Sequence, residues 1–242
     1  MDKLNSFFFI AFPYMAIVIF LIGTISRYRS DKFKVSSLSS QFLEGKKLFW
    51  GSIPFHFGLI ILFFGHLMGF LIPKSIILWN SEPLRLLFLE ISSFIAAICV
   101  FIGLIVLFIR RITDDRIRMV TTKMDIFIVL LLLFQIFSGM YTAVFIRWGS
   151  TWFSSVISPY LKSLFTFTPE IASVSAMPLL FKLHVISAFL IILMVPFTRL
   201  VHFLVYPLNY FWKPYQQVIW NWNKRKVRSP KTKWSIHRPK NN

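Results

Sequence analysis

Five stretches of the chain, 7–26, 51–73, 84–109, 125–146 and 178–206, are almost wholly apolar, and each is long enough to cross a bilayer. A helix needs about 20 such residues to span the hydrocarbon core. In that solvent every backbone N–H and C=O must find a partner within the segment, which an α-helix provides and an open strand edge does not. The expected fold is therefore an all-α integral membrane protein with five transmembrane helices. Composition agrees: 56% of the 242 residues are hydrophobic and 15% charged, against about a quarter charged in a soluble domain. No internal repeat or low-complexity segment interrupts the pattern. The first stretch lacks a strongly basic leader and a small-residue cleavage site, so it is expected to be retained as a helix. Pro196 should kink the last stretch, because it has no amide donor and crowds the preceding turn.

The formal charge of +18 does not point to nucleic acid, because of where the charge sits. Arg27, Arg29, Lys32, Lys34, Lys46 and Lys47 fall between the first two stretches. Arg110, Arg111, Arg116, Arg118 and Lys123 fall between the third and fourth, and nine more cations follow Val205. Segments 74–83 and 147–177 hold few. Basic loops stay cytoplasmic, so the N-terminus is expected outside and the C-terminus inside, in a multi-pass protein of the cytoplasmic membrane. Residues 1–215 then form the membrane domain and 216–242 a basic cytoplasmic tail. The tail serves as a topology determinant touching anionic lipid, as a docking surface for a cytoplasmic partner, or as both. The single cysteine, Cys99, lies in an apolar stretch, so no internal disulfide and no cysteine-built metal or iron–sulfur site is expected.

His237 lies in the polar tail, but the other four histidines lie in two of the five stretches: His56 and His66 in the second, His184 and His202 in the fifth. An ionisable ring in hydrocarbon is expensive and marks function by default. One such ring could simply bond a neighbouring helix; four confined to two helices argue against that. Because the two helices run antiparallel, His56 lies level with His202 near the cytoplasmic end, and His66 level with His184 further out. The ten-residue interval rises about 15 Å and the eighteen-residue interval about 27 Å, so tilt and the Pro196 kink must absorb the mismatch. Eighteen residues are five whole turns, which places His184 and His202 on one face, whereas His56 and His66 are rotated by about 80°.

Paired imidazoles in an apolar slot suit six-coordinate haem iron, since the macrocycle is apolar and imidazole a good iron ligand. Zinc is disfavoured because no Cys accompanies the histidines and Asp or Glu is nearly absent from the stretches, and a proton relay because relays usually include carboxylates. The small residues Gly58, Gly65 and Gly69 near His56 and His66 leave room for a flat ligand, or else pack helices together. Haem propionates need cations, for which Arg199 and Arg110 or Arg111 are the candidates, snorkelling to the headgroups being the other use for them.

Several of these stretches resemble the gamma subunit of respiratory nitrate reductase, a dihaem cytochrome b membrane subunit. They are Ser39-Ser40-Gln41, Phe55-His56-Phe57-Gly58, Phe64-Gly65-His66, Phe181-Lys182-Leu183-His184 and Pro196-Phe197-Thr198-Arg199-Leu200-Val201-His202, and the likeness runs from Phe12-Pro13-Tyr14 to about Tyr215. The resemblance implies two b haems held between the second and fifth helices, with His56 and His202 on the inner iron and His66 and His184 on the outer. It also implies a quinol site at the outer haem, involving Gly65, His66 and a basic residue before the third helix, here Arg85 where better-known members have Lys. Arg and Lys present their donors differently. Menaquinol or ubiquinol would release protons outside, and electrons would pass inward to an iron–sulfur beta subunit and a molybdopterin alpha subunit on the cytoplasmic face. A dihaem cytochrome serving another cytoplasmic reductase, or a non-redox anchor or transporter with packing histidines, are the competing expectations.

Overall fold

The computed structural model describes residues 2–30, 46–146 and 151–204; the basic tail, His237 and the expected boundary at residue 215 lie outside the described residues. The described part is helical, with no strand among its residues. Five helices are long and apolar enough to cross a membrane: Lys3–Ser30, Lys47–Leu71, Pro83–Thr113, Lys123–Phe145 and Leu179–Phe197. The chain is thus a multi-pass membrane protein, and these five spans correspond to the five apolar stretches.

The span boundaries follow local chemistry. Pro83 opens the third span at a position where a missing amide costs nothing. Thr122 and Asp125 form a reciprocal capping box at the start of the fourth. Asp114 accepts the Ile117 N–H at 3.2 Å, starting the short helix Asp115–Met119 between them.

The second span packs on the third, the third on the fourth, and the fifth between the fourth and the first. Glycine sets the closest of these approaches. A Cβ on Gly58 would lie 2.5 Å from the Ala96 carbonyl oxygen, and one on Gly103 would lie 2.7 Å from that of Gly51. Gly58 therefore seats the second span on the third and leaves no room there for a ligand. Gly69 likewise admits the Phe153 ring, 2.8 Å from its Cβ position. Gly65 alone of the three glycines near His56 and His66 faces open space, with nothing within 4 Å.

A core of Phe9, Ala16, Ile157, Tyr160, Leu164, Val174, Phe181, Val185 and Phe189 joins the first and fifth spans to the segment around Ser158–Phe165. Tyr160 donates to the Phe9 carbonyl at 2.8 Å, and Tyr14 to that of Leu164 at 2.8 Å. Burial pushes the Tyr160 phenol up, so it remains a donor.

The fifth span departs from the simple kink expected at Pro196. The α-helix Leu179–Met194 gives way to a 3-10 turn at Val195–Phe197, Thr198 is extended (φ −119°, ψ 179°), and a second 3-10 segment runs Arg199–Leu204. The carbonyls released at the break are taken by Arg27 of the first span, whose Nη1 donates to Pro196 at 2.6 Å and Thr198 at 2.9 Å. His184 and His202 therefore do not share the face of one continuous helix, and the five-turn argument for their alignment is replaced by a break that turns His202 independently.

Candidate functional site

His56, His66 and His184 lie in the second and fifth spans and His202 just past the fifth, yet among the described residues those two spans are not a closely packed pair. Across that gap the rings of His56 and His202 stand 6.2 Å apart, centroid to centroid, with planes 71° to each other. Both rings have their tautomer fixed by backbone. His56 Nδ1–H donates to the Ser52 carbonyl at 2.7 Å, and His202 Nδ1–H to the Arg199 carbonyl at 2.7 Å. A carbonyl only accepts, so Nδ1 holds the proton and the lone pair is on Nε2. Metal-binding imidazoles are prepared in this way.

His66 follows the same rule, its Nδ1–H donating to the Leu62 carbonyl at 2.7 Å. Its ring packs edge-on against Phe153 at 4.7 Å. It lies beside the open space at Gly65. His56 and His66 are both exposed on the second span.

His184 is held differently, by the fourth span. Ser138 Oγ donates to the Gln135 carbonyl at 3.0 Å and accepts Nδ1–H of His184 at 2.9 Å. The Gln135 amide lies 3.2 Å from His184 Nε2, and Ser187 Oγ donates to Gln135 Oε1. Gly139 makes room for the ring, since a Cβ there would sit 3.0 Å from His184 Cε1. None of Gln135, Ser138, Gly139 or Ser187 was read from the sequence as part of the site. Their signal was present: Gln135, Ser138, Gly139 and Thr142 recur at helical spacing in a span otherwise apolar.

The two arginines expected to meet propionates converge at the His202 end. Arg111 Nη1 lies 3.2 Å from Asp125 Oδ2 and Arg199 Nε lies 2.9 Å from Asp125 Oδ1. The carboxylate between them is buried and was also not foreseen. Arg85 stands with its guanidinium 5.1 Å over the Trp79 ring, the posture of a cation held by an aromatic face.

The four histidines supply imidazole nitrogen donors and no cysteine or carboxylate, a donor set that suits a bis-imidazole haem. The spacing fits as well. Metal–imidazole bonds of about 2 Å on either side of one ion place the two ring centres about 6 Å apart, the separation seen for His56 and His202.

The chain is similar to known proteins over most of its length. A family described as nitrate reductase gamma subunit matches residues 5–221. The nitrate reductase gamma chain of Bacillus subtilis (strain 168) is 37% identical over 207 residues, covering 84% of this chain and 92% of the relative. The respiratory nitrate reductase 2 gamma chain of Escherichia coli (strain K12) is 32% identical, covering 89% and 96%. The respiratory nitrate reductase 1 gamma chain of the same organism is 31% identical, covering 90% and 98%.

Proposed function

The chain belongs to the nitrate reductase gamma subunit family, a subunit of an oxidoreductase complex, and on that premise we propose that it is the dihaem cytochrome b subunit of such a complex. In this reading it oxidises quinol on the outer side and passes the electrons through two b haems to iron–sulfur and molybdenum subunits on the cytoplasmic side.

The observation that carries the reading is the His56–His202 pair, 6.2 Å apart with both Nδ1 protons committed to carbonyls. His56 and His202 would hold the inner haem, His66 and His184 the outer, and Arg111 and Arg199 would meet propionates. When bound, haem iron supplies reversible one-electron uptake and release. The chain's own residues do the rest. Nδ1–H bonds to the carbonyls of Ser52, Leu62 and Arg199 orient three rings and leave Nε2 as the ligating atom, and Ser138 orients His184. Ligation by His184 requires the Gln135 amide to turn from Nε2, which Ser187 can accommodate by keeping hold of the amide oxygen. Gly65 and His66 wall the open space assigned to quinol, and Arg85 stands at the start of the third span as the cation for a quinone oxygen.

A reduced-minus-oxidised spectrum and a haem count on protein from a haem-replete host test the reading. Two b-type haems per chain are expected. His56→Ala or His202→Ala should remove one of them, and His66→Ala or His184→Ala the other. A colourless protein, one porphyrin per chain, or loss of the same haem from His56→Ala and His66→Ala would defeat it.

A further inference from the structure

We propose that Asp125 is the positioning residue of the inner ligand pair, fixing His202 through Arg199; the proposal rests on the haem reading above. The 3-10 segment Arg199–Leu204 follows an extended residue, so the hydrogen-bond ladder of the fifth span does not reach it. Something outside the span must set its direction. Arg199 is the residue that is gripped. Its Nε meets Asp125 Oδ1 at 2.9 Å and its Nη2 donates to the Val120 carbonyl at 3.0 Å, while its own carbonyl receives Nδ1–H of His202 at 2.7 Å. One residue is thus anchored through its side chain to the fourth span and its approach, and it orients the ligand through its backbone.

Helix capping alone does not account for Asp125. Its Oδ2 accepts the Thr122 N–H at 3.0 Å, which completes the cap, and an exposed carboxylate would do that as well. This one is buried, with Arg111 of the third span on Oδ2 and Arg199 on Oδ1. A buried charge is costly unless paired and hydrogen-bonded. Here the pairing ties three spans together at the level of His202.

The test uses the full-length chain in membranes from a haem-replete host, with the inner haem identified as the low-spin EPR signal lost in His56→Ala. Asp125→Asn retains an oxygen for the Thr122 cap but removes the charge that holds both arginines. The largest g-value of a bis-imidazole haem follows the angle between its ligand planes, so the inner signal should move while the outer stays. Loss of a nearby negative charge also favours the ferrous state. The inner haem should become about tenfold more reduced at fixed potential, ~59 mV for one electron, with the outer titration unchanged. Arg199→Lys keeps the charge but cannot span Asp125 and the Val120 carbonyl together, and it should give the same inner-only EPR shift. Should Asp125→Asn not accumulate, Arg199→Lys decides alone. Both signals unmoved, both moving together, or both haems lost from variants that reach the membrane would overturn the proposal. A wild-type chain without two low-spin signals would instead defeat the cytochrome reading and take this proposal with it.

Discussion

At the scale of single residues, the glycines of the second span separate packing from binding. A methyl group on Gly58 would drive into the Ala96 carbonyl at 2.5 Å and the Val100 side chain at 2.7 Å. Overpacking of this kind costs about 1–3 kcal/mol, so Gly58→Ala should lower the temperature at which the Soret band is lost in detergent. Gly65→Ala meets nothing within 4 Å. Its melting should stay within about 0.5 kcal/mol of wild type, while the apparent KM for quinol changes because the methyl enters the space assigned to the substrate. Equal melting of the two variants would sink the distinction. The four imidazoles were legible because a His in an apolar stretch stands out against everything around it. What holds them was not. Three of the four Nδ1 partners are main-chain carbonyls, which every residue owns and no sequence displays. Glycine in a helix reads the same whether it faces a carbonyl or a void, and so the Gly58, Gly65 and Gly69 group was split only by coordinates.

Among elements, the fifth span is where sequence and structure differ most. Pro196 announces a disturbance, since it has no N–H and its ring crowds the preceding turn. It does not announce that the helix will unwind from Val195 and extend at Thr198. That outcome depends on a donor 169 residues away in sequence, Arg27, which accepts the burden of the freed Pro196 carbonyl. Gly23 completes the fit by letting the first span approach to within 2.9 Å of the Pro196 ring, measured from its Cβ position. Replacing Arg27 by Met keeps most of the packing volume and leaves two carbonyls without their charged donor. Hydrogen bonds to charged groups are worth roughly 1.5–3 kcal/mol, so the break should loosen by about that amount. The consequence is local: on heating Arg27→Met, the haem that depends on His202 should be released before the other, where wild type releases the two together or in a fixed order. Unchanged release of both would show that the break is held by other contacts. Four of the spans were legible to within a few residues, because apolar length is written directly into composition, whereas the fifth, expected to reach 206, ends at Phe197 because a helix break depends on what stands next to it.

For the whole molecule, the decisive quantity is which end faces the cytoplasm, and charge placement predicts it. The segment 110–123 carries Arg110, Arg111, Arg116, Arg118 and Lys123, whereas 74–83 carries Lys74 alone. The positive-inside rule puts the first segment inside and the second outside. The single cysteine makes the test direct. In a Cys99→Ser background, Ser81→Cys and Met119→Cys each place one thiol at an exposed position on opposite ends of the third span. A membrane-impermeant maleimide should label Ser81→Cys in intact spheroplasts and Met119→Cys only after permeabilisation. The reverse pattern would invert the mechanism along with the topology. His66 and Gly65 would then lie towards the cytoplasm, quinol protons would be released inside, and inward electron flow to a cytoplasmic acceptor would no longer separate charge. With the expected pattern, the Asp125 cluster and the His56–His202 pair share the cytoplasmic end. In the cytochrome reading proposed above, the residues that would hold the last ligand in place then stand where electrons would leave the membrane, and a loosened His202 would be felt first by the partner that receives them.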